Sequence, residues 1–160
     1  MDPLAAAPGT LCPAKVTLAA GTTTTISNTG TIPFCIKGKA YSKAAMSNAA
    51  TPTTDARTGS AFTGITANQG TVVVIGFDKD GNVKACQGSI ESLDSSGNFV
   101  LAPQLPIVPD TVCPIGYIVL KAGSSLSGTF TFGSSNLSGV SGMTYTFGDL
   151  MTMPPRPIVS

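Results

Sequence analysis

Acidic side chains at alternate positions of a turn can offer oxygen ligands to a hard cation, and this chain has such a run at Asp78-Lys79-Asp80-Gly81-Asn82. Oxygens at positions 78, 80 and 82 match the opening of an EF-hand loop. The rest of that loop is missing, because Val83 stands where it needs glycine and Ser89 where it needs a bidentate glutamate. The same five residues read better as a tight Asp/Gly/Asn hairpin turn, and that is the expectation. Glycoside hydrolysis would need two facing carboxylates. The only glutamate is Glu91, with Asp94 and Asp110 near it in sequence, and acids beside Ser and Gly ordinarily cap turns.

Other reaction chemistries fail on residue type. The chain has no histidine, which removes Ser-His-Asp and Cys-His arrangements and the commonest acid–base group near neutral pH. Ser138-Gly139-Val140-Ser141-Gly142 has only a superficial likeness to a nucleophile elbow, and no GxxxxGK[ST] run is present to hold a phosphate. Lys121 and the other lysines have no apolar or basic sequence setting that would make one a nucleophile. Cys12, Cys35, Cys86 and Cys113 are far apart and form no CxxC pair, so a zinc site would need all four thiolates to converge. They are expected to be buried free thiols, with one or two disulfides open as an alternative if the protein ends up outside a cell. The expectation is a protein that is not an enzyme and uses no cofactor or metal.

Composition points to contact with other protein. Only 11% of residues are charged, less than half of the roughly 25% usual for soluble domains. The surface must therefore be built largely of Thr, Ser, Asn and Gly, whose hydroxyls and amides find partners across an interface more readily than isolated ions do. Net charge is +1, with residues 1–77 mildly basic and residues 78–160 mildly acidic. This is far from the basic footprint that nucleic acid demands. The longest uncharged stretch, Ala122 to Gly148, is too rich in Ser, Thr and Gly for a bilayer-spanning helix, so no membrane partner is expected. The first ten residues lack a basic region and are broken by Pro3 and Pro8, unlike a secretory signal. Synthesis in a cytoplasm is expected, or a signal removed before this numbering begins.

The elements that would position these residues are strands. Residues 1–14, with Pro3, Pro8 and Pro13, read as an extended arm. Residues 15–152 read as a β-domain with short strands at Lys15–Ala20, Thr22–Ser27 and Ile32–Tyr41. The stretch 42–70 reads as a long loop, with at most a turn or two of helix in Ala44–Ala50, and is a candidate contact surface. Thr71–Phe77 and Val83–Gln87 form a hairpin around the 78–82 turn, and Asp94-Ser95-Ser96-Gly97-Asn98 repeats the same D-x-x-G-N device before Phe99–Leu101. A proline-rich crossing over 102–110 cannot sit inside a sheet. Strand signals return at Cys113–Lys121, Gly128–Phe132 and Met143–Phe147, and residues 153–160 form an extended tail. The expected fold is all-β, a sandwich or barrel-like antiparallel fold with proline-rich arms at both termini.

From Leu105 onward the chain resembles a group of small bacteriophage virion proteins. The resemblance rests on Pro106, Pro109, Asp110, Pro114, Gly116, Ile118 and Val119, then Thr129, Phe130, Phe132 and Gly133, then Met153, Pro154, Arg156 and Pro157. Residues 1–70 have no counterpart in it. It implies a structural role in the virion, as a head decoration (cement) protein that binds and stabilises the assembled shell, or alternatively as a tail, vertex or fibre subunit that adheres to a host surface. The implied partners are the major capsid protein and further copies of the chain as a trimer or dimer, with assembly in the host cytoplasm. The contact residues expected on this reading are Leu4, Leu11, Met46, Phe62, Pro154, Pro155, Arg156 and Ile158.

Overall fold

The computed structural model describes Thr10, Cys12 and residues 15–150. Among them the fold is all-β and antiparallel, with no helix. Two small sheets pair β1 (Ala19–Ala20), β2 (Thr25–Ser27) and β5 (Ala49–Ala50), and β3 (Ile32–Ile36) with β4 (Lys39–Lys43). The large sheet holds β6 (Gln69–Phe77), β7 (Val83–Ser92), β8 (Cys113–Ala122) and β9 (Met143–Asp149) in the order β7-β6-β8-β9. The arrangement is sandwich-like, with no closed barrel.

The β-branched run of β6 explains its central place. Every residue from Gly70 to Phe77 is buried, so both faces of the strand are covered. One face presents Val73, Ile75 and Phe77 to the main core, where they join Ile118, Leu120, Phe130 and Phe132 with Ile26, Ile32 and Phe34 from the small sheets. Aromatic contacts tie the layers together. Phe34 lies 5.5 Å from Phe77, and Phe62 meets Phe132 edge-on at 5.1 Å. The other face carries Val72 and Val74, outside that main cluster. The connection from β7 to β8 runs back over this face. The Phe99 ring packs where a side chain at Gly70 would stand, the Gln104 carbonyl fills the space at Gly88, and a Val112 methyl does the same at Gly76. The proline-rich crossing therefore lies on the sheet instead of within it, as its missing backbone donors require.

Local geometry changes the reading of four segments. Ile32–Tyr41 is a hairpin and not one strand, because Lys37 (φ 50) and Gly38 (φ 78) both adopt the left-handed conformation of a two-residue type I′ turn. Phe99–Leu101 and Gly128–Phe132 are not strands: each contributes a single bridge, Leu93–Phe99 and Ile65–Phe130. Ala44–Ala50 forms no helix, and Ala49–Ala50 pairs with β2 instead.

Residues 42–70 are bound into the core. Met46 and Phe62 are buried, Thr51 bonds the Thr24 carbonyl through both its N–H (3.0 Å) and its hydroxyl (2.9 Å), and Ile65 and Phe130 exchange backbone bonds of 2.8 and 2.9 Å. The segment turns around Asp55, which is buried. One carboxylate oxygen accepts the N–H groups of Arg57 (2.8 Å) and Thr58 (3.2 Å), and the other accepts the N–H of Gln87 on β7 (2.8 Å). A loop that places its one buried acid on three backbone donors is held by charge-assisted bonds, which are stronger than neutral ones.

Removing that carboxylate leaves three backbone donors without an acceptor. Asp55→Ala is expected to lower unfolding free energy by about 3 kcal/mol, read from the urea midpoint at unchanged m-value. Asp80→Ala, which removes an exposed ion pair to Lys79, should leave the midpoint in place. Equal shifts from the two variants would contradict the role given to Asp55.

Candidate functional site

The acidic residues singled out in the sequence are engaged in turns and ion pairs. Asp78 Oδ1 accepts the N–H of Asp80 (3.0 Å) and of Asn82 (2.9 Å), while Oδ2 accepts the Asn82 amide (3.0 Å) and faces Lys84 Nζ at 3.6 Å. Asp94 repeats the pattern on Ser96 and Asn98, both at 2.8 Å. Gly81 (φ 76) and Gly97 (φ 77) supply the left-handed residue that both turns require. Burial pushes the Asp78 carboxyl up, but the bonds from Asn82 and Asp80 and the charge of Lys84 outweigh it and hold the group below its ordinary value. The Asn98 N–H, with the Ser96 N–H and the Asn98 side chain, does the same for Asp94 against a smaller opposing effect of burial. Glu91 accepts from the Ser89 hydroxyl at 2.7 Å, and Asp110 pairs with Lys37 at 2.6 Å. Among the described residues, no three acidic or cysteine side chains gather as a metal-binding group.

The thiols are sheltered. Cys35, Cys86 and Cys113 form no disulfide, and the Cys12 thiol points at the Pro33 carbonyl at 3.6 Å. Burial pushes the Cys113 thiol up to about 12, with neighbouring Cys12 adding to the rise, and the Cys86 thiol up to about 11, with Asp55 adding to it. Thiols held so far above neutrality are poor nucleophiles and poor metal ligands.

The surface is more informative. Among the described residues, the exposed large hydrophobic side chains are Val100 (71%), Leu101 (65%) and Ile107 (58%), all within one eight-residue stretch of the crossing. That stretch is pinned on both sides. The Val100 N–H donates to the Ser92 carbonyl (3.0 Å), Gln104 exchanges bonds with Ser89 (2.9 and 3.3 Å), and the Val112 N–H donates to the Pro109 carbonyl (3.0 Å). Buried Pro106 anchors its middle, and Lys121 sits 5.0 Å over the Phe99 ring at its start. The result is a proline-stiffened ridge whose apolar side chains face outward. A few exposed apolar residues scattered over a surface are ordinary, but these three share one pinned eight-residue segment.

A groove of about 570 Å³ lies between the β3–β4 hairpin and the 78–82 turn, with Ile36, Tyr41 and Val112 among its walls. Three of its four lysines are paired, Lys37 with Asp110, Lys79 with Asp80 and Lys84 with Asp78, so it has little charge left with which to hold an anion.

Of the contact residues expected from sequence, Met46 and Phe62 have side chains committed to the chain's own core, since both fill space between the layers. Leu4, Leu11, Pro154, Pro155, Arg156 and Ile158 lie outside the described residues. The ridge was missed. Its signal is a run, Val100 to Val108, that is too apolar for a solvated loop and too rich in proline for a strand.

The two lowered carboxyls fix a pH dependence. A depressed folded-state value stabilises the fold above the unfolded value of 3.8, and that contribution disappears as pH falls through the lowered value. The midpoint of thermal unfolding should drop as pH falls below about 4, and the drop should be smaller in Asp78→Ala/Asp94→Ala; identical pH profiles would contradict the assignment. Comparison with protein-family models, curated proteins and solved structures finds no match for this chain.

Proposed function

We propose that this chain is a structural subunit that docks on an assembled protein surface, and that it decorates and stabilises a bacteriophage head shell through contact with the major capsid protein. The observation that carries the reading is the ridge of Val100, Leu101 and Ile107, exposed yet fixed to the sheet. Burying one such side chain completely stabilises a contact by about 1.5–3 kcal/mol, while the cost of association is of the order of 4–15 kcal/mol. One ridge alone therefore holds weakly. A regular shell offers many equivalent seats, and a subunit that engages more than one of them gains avidity without new contacts. A stiff ridge also loses less entropy on docking than a flexible loop would. The sparse charge fits the same role, since copies crowded on a lattice repel one another little.

The groove beside Tyr41 favours a second reading, an adhesive tail, vertex or fibre subunit that presents this wall to a host glycan. A single half-buried tyrosine already stacked on Phe34 at 5.5 Å is a modest platform. A glycan array without a reproducible hit counts against it.

The docking reading is tested with Val100→Ser/Leu101→Ser/Ile107→Ser, a variant that alters only exposed side chains. Its thermal midpoint should match the wild type, and its co-sedimentation with assembled head shells should weaken by at least about tenfold, which is the loss of roughly one buried side chain. Unchanged occupancy on the shell would overturn the role of the ridge. Copy number in purified particles then sorts location: near-parity with the major capsid protein supports decoration, and its absence from particles removes the virion reading.

A further inference from the structure

The two edges of the large sheet are treated differently. Along β7, the outward backbone groups are taken up: the Ala85 carbonyl by the Ala56 N–H (2.8 Å), the Gln87 N–H by Asp55 (2.8 Å), and the Ser89 N–H by the Gln104 carbonyl (3.3 Å). A bulge between Thr71 and Val73 further breaks that side of the ladder. The outward backbone groups of β9 meet none of these devices, and only at its end does the Asp149 side chain accept the Thr17 N–H (2.7 Å). The register of β9 with β8 is unbroken from Met143 to Asp149, and the strand contains no proline, lysine or arginine. The bonds from the Leu150 N–H to the Ile115 carbonyl (3.1 Å) and from the Gly123 N–H to the Gly142 carbonyl (2.8 Å) set the phase. Even-numbered residues of β9 therefore face β8, and Tyr145, Phe147 and Asp149 turn their N–H and C=O groups outward. Among the described residues nothing accepts from or donates to them.

We propose that this edge pairs with the β9 edge of a second copy, antiparallel about a two-fold axis at Thr146. Alternate residues must face one another in phase, and centring on Thr146 lets Tyr145 exchange both backbone bonds with Phe147 of the second copy, with the exchange repeated by symmetry. Charge permits the contact. The strand carries no charge before Asp149, and in this register Asp149 lies opposite Met143 of the second copy, so the two acids stand about 20 Å apart, beyond screening range. The two Thr146 side chains, exposed on the outer face, meet with Cα atoms about 4.5 Å apart, as suits a threonine pair. The contact closes on itself and leaves no free β9 edge to recruit further chains.

The pairing deepens the docking reading and does not require it. It would make one continuous sheet, β7-β6-β8-β9 and its symmetry copy. The two β7 edges, each with its ridge, would then lie about 34 Å apart as a bivalent clamp.

Analytical ultracentrifugation of the intact chain at micromolar concentration should show a dimer. Thr146→Lys places two like charges face to face on an exposed position and should weaken the dimer by at least tenfold, as should Thr146→Glu alone. Mixing the two variants should restore a dimer of one of each, because the opposed charges then attract. A wild-type monomer, an unaffected Thr146→Lys dimer, or a mixture that stays monomeric would each overturn the pairing. Head-shell binding by the ridge variant is read separately, so either proposal can fail without the other.

Discussion

The structure depends on one strand having both faces covered. From Gly70 to Phe77 β6 exposes almost nothing, and a strand in that position needs a layer on each side. The small sheets supply one layer through Ile26, Ile32 and Phe34, joined by Phe130 and Phe132 from the segment after β8. No regular element supplies the other. It comes from the β7–β8 connection, whose prolines cannot join a ladder but can lie flat across one. The exposed ridge follows from this. A short segment that turns Pro106 and Val112 inward cannot also bury Val100, Leu101 and Ile107.

Three of the eight acidic side chains are used to hold backbone. Asp55, Asp78 and Asp94 each collect two or more N–H groups, and each stands at the start of a turn that contains a left-handed glycine. Carboxylates engaged in this way are poor candidates for acid–base work or for cation binding, because their lone pairs are already directed at fixed donors. These three acids therefore serve the chain's own architecture.

How far these features could be read from the sequence depended on whether their cause was local. The D-x-x-G-N turns were legible, because one aspartate, one glycine and the intervening spacing specify the geometry by themselves. The long strands β6, β8 and β9 were legible as β-branched or alternating runs. The Lys37-Gly38 turn was not, since lysine seldom takes a positive φ and gives no warning that it will. Nor was the order of residues 42–70. It rests on Asp55 reaching Gln87 and on Ile65 reaching Phe130, contacts that span the chain and leave no periodic trace. Met46 and Phe62 were read as contact residues for the same reason. An apolar side chain in a polar stretch looks available until the fold shows the cavity it fills.

The asymmetry between the sheet edges is a consequence of chain order. After β7 the chain must reach β8 on the far side of β6, so it crosses the sheet and passes along β7 as it leaves. Its polar backbone is satisfied there, at Ser89 and Ser92, and the β7 edge is capped by the same segment that covers Val72 and Val74. β9 is the last strand described, and among the described residues no segment bonds to its outward backbone groups. A sheet edge left open in this way is a hazard if the chain works alone, because any extended segment can add to it. It becomes useful if the chain works in pairs. The crossing that gives one edge its apolar ridge leaves the outward backbone groups of Tyr145 and Phe147 on the opposite edge without a partner among the described residues.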